Sequence, residues 1–327
     1  MAVTAGSVIE AIPAAFRRMA RTLFQPFDVG KWFVLGFCAW LAQLGEGGGP
    51  HFNFNAGGGG PSGPGGGGGM GDAADWVEEH LVVLILAALA VFLLVAGLVA
   101  LVTWLSSRGK FMFLDGVARN RGAVVEPWRR FRVPANSLFW FRFLFALAVL
   151  LALAILGGVC LGVAWVDIAR ETFGAAAVAA IAIGVLGLLV ITLAAGVIGA
   201  VLDDFVVPVM YLRGRRVLQA WGVFWRELAA GHIGPLLLFY LMKWLLGMVI
   251  GIIAMLACCL TCCIVALPYI GTVILLPVFV FLRCYSLAFI EQYGPDWRVF
   301  AYDLEAAPAG PPAAPAAPSQ PNEETNE

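Results

Sequence analysis

"LVVLILAALAVFLLVAGLVALVTWL", residues Leu81 to Leu105, holds no charged side chain in 25 positions. A helix rises about 1.5 Å per residue, so roughly 20 apolar residues cross the ~30 Å hydrocarbon core of a bilayer. The stretch reads as a transmembrane helix, and it has company. Phe143 to Val166 is uncharged over 24 positions and Thr172 to Leu202 over 31. Trp244 to Leu282 is uncharged over 39, too many for one crossing, so it must fold back; the polar Thr261 and Pro268 mark the return. With 61% hydrophobic residues, 13% charged ones and a mean hydropathy of +0.90, the composition excludes an ordinary soluble domain.

A shorter run, Trp32 to Leu44 with Lys31 before it, reads as a retained first helix, because no small-residue cleavage site follows as it would after a signal peptide. The expected fold is all-α: a polytopic membrane protein with six transmembrane helices at about 30–45, 81–105, 139–164, 174–201, 234–257 and 264–287. These form one domain, residues 1–302, followed by a disordered Pro/Ala-rich tail, 303–327. The segment "GEGGGPHFNFNAGGGGPSGPGGGGGMG" (45–71) follows no strand and contains no Lys, which argues against a phosphate-binding loop and for a flexible extracytoplasmic spacer.

The net charge of -1 conceals a strong asymmetry. Arg17, Arg18, Arg21 and Lys31 precede the first span. Arg108, Lys110, Arg119, Arg121, Arg129, Arg130 and Arg132 follow the second, and Arg213, Arg215, Arg216 and Arg226 follow the fourth. The other side holds Arg170 alone, so the positive-inside rule puts both termini in the cytoplasm. "RGAVVEPWRRF" from Arg121 and "RGRRVLQAWGVF" from Arg213 both run from Arg-Gly into Trp-x-x-Phe, with Trp128 and Trp221 93 positions apart. "SVIEAIPAAFRRMARTLF" is a weaker third copy. They suggest three parallel repeats, each a short interfacial amphipathic helix followed by a transmembrane hairpin. On such a helix Trp128 and Phe131 would dip toward the acyl chains while Arg129, Arg130 and Arg132 stay with the phosphates. Together with Arg213, Arg215 and Arg216, these are the expected contacts to anionic headgroups of the cytoplasmic leaflet. With apolar spans so close, no basic face is left free for nucleic acid.

Catalytic signatures are missing: there is no GxSxG, GxxxxGK or HExxH, and His51, His80 and His232 are split between the two sides. Neither an enzymatic activity, a cofactor nor a metal centre is expected. "CCLTCC" places Cys258, Cys259, Cys262 and Cys263 in the turn between the fifth and sixth spans, as packing residues or as a disulfide. The best lead to function is the set of charges at the ends of the spans: Arg108, Asp203, Asp204, Lys243 and Arg283. A carboxylate below the headgroups is costly unless paired, so Asp203 or Asp204 is expected to meet Arg108, Arg283 or Lys243. Gly158 with Gly162 and Gly247 with Gly251 form GxxxG patterns that permit close helix approach.

"RTLFQPFDVGKWFVLGFCAWLAQLGEGGG", "RGKFMFLDGVARNRGAVVEPWRRF", "ANSLFWFRF" and "LPYIGTVILLPVFVFLRCYSLAFIEQYGP" resemble the pattern of a family of uncharacterised prokaryotic multi-pass membrane proteins, over roughly residues 7 to 298. More distantly, they are similar to the membrane domain attached to some glycerophosphodiester phosphodiesterases, whose catalytic domain has no counterpart here. The resemblance implies the inner membrane of a prokaryote and transfers no functional residue. The expected function is that of a non-enzymatic integral membrane protein that interacts with lipids or organises other membrane components. The alternative is a small-solute transporter or channel that uses the charged cluster.

Overall fold

A computed structural model describes residues 5–44, 70–169, 174–260 and 267–300. Among these residues the chain is about 90% helical with no strand, so the class is all-α. The Gly-rich segment 45–69, Arg170, Cys262, Cys263 and the tail 303–327 lie outside the described residues.

The chain opens with α1 (Ala5–Phe24), which turns Val8, Ala11, Ala15, Met19 and Leu23 inward at helical spacing. Asp28 caps α2 (Val29–Gln43) by accepting the backbone N–H groups of Gly30 and Lys31. α3 (Met70–Ala118) runs through Leu105 without a break, because "SSRGKFMFLDGVA" contains no proline and no stop signal stronger than Gly109. The short α4 (Val125–Arg130) leads into α5 (Arg132–Ala169), which is followed by α6 (Ala175–Val201). A π-helical turn, Leu202–Val206, carries α6 into α7 (Val207–Arg213), so the helix is continuous from Ala175 to Arg213. Then come α8 (Val217–Val223), a second π-turn at Phe224–Ala229, α9 (Ile233–Leu260), α10 (Pro268–Ile274) and α11 (Leu276–Ile290).

Four helical stretches are long and apolar enough to cross a membrane: His80–Ala118, Arg132–Trp165, Ala175–Arg213 and Ile233–Leu260. The most apolar window of each is 0, 0, 0 and 6% buried, so these surfaces need an apolar solvent rather than water. The core gathers at the other end of the helices. There the C-terminal third of α3 (Phe111 to Val117) meets Phe205 to Met210, Phe224, Phe239 and Leu276 to Ile290 in one buried cluster. Phe205, Phe224, Phe239, Tyr285 and Phe289 pack ring against ring at its centre, with centroids 4.7 to 6.1 Å apart. Arg18 of α1 closes onto Glu291 at 2.5 Å and lies over the Phe300 ring.

Two of the six expected spans take other forms. The first, 30–45, is a helix of 15 residues, about 22 Å long, and it packs beside the C-terminal third of α3. The sixth, 264–287, is divided at Leu275, where Pro277 opens a new helix; its first residues lie outside those described. The aromatic face expected on the acyl chains is turned inward instead. Phe131 is 7% exposed and stacks on Phe111 at 5.7 Å, and Trp128 meets the edge of Trp104 at 5.7 Å. The end of α3 stands beside α4, and ring-to-ring packing there holds the aromatic face. The GxxxG glycines are not contact points among the described residues: a Cβ on Gly158, Gly162, Gly247 or Gly251 would meet none of them within 4 Å. Close approach occurs instead at Gly109, whose Cβ would stand 2.6 Å from the backbone of Leu41 and Ala42.

Candidate functional site

The π-turn at Leu202–Val206 follows from Pro208. Proline has no N–H, so a regular helix would orphan one carbonyl a turn earlier. Here the Val207 N–H bonds back to Leu202 O, five residues away, which strips the Asp203 carbonyl of its α-helical donor; its donor in the wider π pattern would be Pro208 itself. Arg283 of α11 fills the vacancy, donating from Nη1 to Asp203 O at 2.7 Å. The widened turn also aims the two neighbouring carboxylates at different helices. Asp203 forms an ion pair with Lys110 of α3. Asp204, 4% exposed, accepts Lys243 Nζ of α9 at 2.5 Å on both oxygens and the Ser286 hydroxyl of α11 at 2.9 Å.

Around this centre Arg142 Nη1 donates to Ser106 Oγ at 3.1 Å, and Ser106 donates to Ala42 O at 2.9 Å, which ties α5, α3 and α2 together. Arg142 and Arg283 both lie close to Asp203. The hydroxyls of Tyr240 and Tyr285 are buried near Asp204 without a hydrogen-bond partner among the described residues. Of the five charges singled out in the sequence, Asp203, Asp204, Lys243 and Arg283 therefore converge. Arg108 does not. Its guanidinium is held between Trp104 and Trp128, 4.5 and 4.6 Å from the ring centroids, and Nη2 donates to Asn136 Oδ1 at 3.3 Å.

The residues that sequence reasoning missed are Lys110, Ser286 and the fully buried Asp115. Asp115 accepts Arg121 Nη2 at 2.9 Å, Arg119 Nε at 3.2 Å and the Tyr211 hydroxyl at 3.0 Å. Arg121 also grips the exposed Glu126 at 2.6 Å, and that hydrogen bond lowers the Glu126 carboxyl below its ordinary range while raising the Arg121 guanidinium. The signal for Lys110 was the lack of any helix breaker after Leu105, which keeps it on α3 rather than in a loop.

The expected headgroup contacts divide. Arg213 is engaged, with Nη1 and Nη2 on Glu227 at 3.0 and 2.6 Å and its plane over Trp297. Arg130 lies over Phe131, while Arg129, Arg215 and Arg216 are exposed and make no ion pair with a described residue. Cys258 is half-buried and Cys259 exposed. No cluster of three metal-ligating side chains occurs among the described residues. Two apolar grooves open on the helix surfaces. One, about 630 Å³, lies between α6 and α9 and reaches Tyr240 and Lys243; the other, about 850 Å³, lies between α5 and α8 and ends at Arg216.

A network of this kind acts as a lock: the half-buried Asp203 and the buried Asp204 each hold a cation from a different helix, and removing one partner leaves the other uncompensated. Compared with known proteins, residues 7–291 match the model of a family of unknown function, DUF7544, and the chain belongs to that family. No curated protein and no solved structure matches it.

Proposed function

We propose that the chain is a non-enzymatic protein of a prokaryotic inner membrane, with both termini cytoplasmic, that interacts with lipids and organises the membrane around it. The observation that carries this reading is the contrast between its two ends. Four long helices offer broad apolar surface to their surroundings, while the ion-paired hub gathers beside most of the Lys and Arg residues. Six spans in three repeats remain part of the proposal. The order of elements supports it, since α1 precedes α2 and α3, α4 precedes α5 and α6, and α8 precedes α9 and the α10–α11 pair. The distant similarity to the membrane domain of glycerophosphodiester phosphodiesterases belongs to the same reading, as a shared architecture.

Extraction of the full chain in native-membrane particles, followed by lipid mass spectrometry, tests it. Acidic phospholipids should be enriched over the bulk membrane; a composition equal to the bulk would sink the proposal. A second reading, small-solute transport, is favoured by one feature, the groove that brings lipid-facing surface to Lys243 and Tyr240. It requires solute flux in liposomes that disappears in Asp204→Asn while the fold persists.

A further inference from the structure

We propose that the groove between α5 and α8 binds one anionic phospholipid, a claim that rests on the lipid-interacting reading above and assigns it a place. The groove's wall is apolar, formed by Trp140, Phe141, Leu144 and Phe145 along α5. Its mouth is polar, formed by Asn136, Ser137, Arg216 and Gln219. A volume of about 850 Å³ falls within the ~300–1,000 Å³ of small-molecule sites.

The mouth is rich in donors. Ser137 Oγ already accepts the Val217 N–H at 3.2 Å, and Asn136 Oδ1 already accepts from Arg108, while the Ser137 hydroxyl hydrogen and the Asn136 amide hydrogens remain to be donated. Arg216 is exposed, and neither its guanidinium nor the Gln219 amide group bonds to a described residue. No carboxylate lines the groove. Behind Asn136 the charge is also uncompensated. Arg108 is 8% exposed, its Nε has no hydrogen-bond partner among the described residues, it makes no ion pair with a described carboxylate, and the like charge of Arg132 lies close by. A donor-rich mouth that holds a guanidinium and no carboxylate, in a positive field, favours phosphate oxygens, and a guanidinium is the side chain best shaped to hold them.

The apolar wall decides between a free anion and a lipid. An inorganic phosphate would leave Leu144 and Phe145 without an occupant, whereas an acyl chain covers them. Trp140, 58% exposed, stands between mouth and wall, where a Trp side chain sits at the boundary of headgroups and acyl chains. Arg216 then lies at headgroup depth and Phe145 below it, about a helix turn further along α5.

The test titrates the purified full chain with dioleoyl phosphatidylglycerol or dioleoyl phosphatidylcholine and reads bound lipid by native mass spectrometry. The variants are Arg216→Glu, Gln219→Ala and Leu144→Trp, with the exposed Arg298→Glu as a control for net charge. Arg216, Gln219 and Leu144 are all exposed, so the fold should survive each change, as helical circular dichroism verifies. The wild type should prefer phosphatidylglycerol by about tenfold, the worth of one charge-assisted contact. Arg216→Glu should abolish that preference, Leu144→Trp should weaken both lipids, and Arg298→Glu should change neither. A wild-type preference that persists in both Arg216→Glu and Leu144→Trp overturns the groove and leaves the lipid reading standing. Equal binding of the two lipids by the wild type overturns both. Displacement of phosphatidylglycerol by millimolar inorganic phosphate would show an anion site in place of a lipid site.

Discussion

Asp204 carries more of the hub than any other side chain, since α9 and α11 both reach it through Lys243 and Ser286. Replacing it with Asn would keep the volume and remove the charge, leaving the Lys243 ammonium opposite a neutral amide. Breaking a buried pair from one side costs about 3 kcal/mol or more, because the remaining charge stays desolvated. Asp204→Asn should therefore lower the unfolding midpoint in mild detergent, and Asp204→Asn with Lys243→Met should recover part of the loss. Additive effects of the two single changes would deny the pair any energetic role. The contrast between Arg108 and Lys110 shows what the sequence could not decide. The two stand two residues apart, about 200° around the helix, so they face nearly opposite ways. Which one met the carboxylates depended on the rotation of α3, and that is set by packing rather than by spacing.

At the level of elements, the contact glycines are those where backbones meet. Gly109 lets α2 approach α3 so closely that an added Cβ would lie 2.6 Å from Leu41 C and Ala42 N, and main-chain atoms cannot swing away as a side chain can. Gly109→Ala should cost about 1–3 kcal/mol through overpacking. Gly158→Ala, with no described residue within 4 Å of the added Cβ, should be neutral or gain up to about 1 kcal/mol of helix propensity. Thermal unfolding of the two variants in the same detergent compares them directly; a loss at Gly158 equal to that at Gly109 would mean that the open GxxxG face is covered in the folded protein. The long uncharged runs made the four longest helices legible, because a chain in lipid must satisfy its backbone internally and can only do so as a helix. Their ends were less legible. The charges from Arg108 onward mark where α3 meets the polar hub, and a helix can pass that boundary unbroken. The π-turn was written in Pro208, but its consequence, a freed carbonyl for Arg283, needed the neighbouring helix to be seen.

For the whole molecule, the threading through the bilayer turns on α2. A helix of about 22 Å falls short of a ~30 Å hydrocarbon core, so α2 is the weakest link in a six-span threading. Its last turn, where Ala42 O accepts the Ser106 hydroxyl, lies level with the C-terminal third of α3, far from Met70 at that helix's other end. Charge still argues that the chain crosses. Lys110, Arg119 and Arg121 stand at one end of α3, while its other end begins "MGDAADWVEEH", which has no Lys or Arg. Alkaline phosphatase fused after Gly71 or Glu171 should be active, and fused after Arg130 or Arg226 inactive; a cytoplasmic fluorescent reporter should give the opposite pattern. Gly71 is the deciding position, because it alone depends on what precedes α3. If Gly71 reads as cytoplasmic while Glu171 reads as external, both ends of α3 lie on the cytoplasmic side, and the first hairpin does not span the bilayer. If both read as external, the segment from Pro26 to Gly71 carries the chain across despite the shortness of α2.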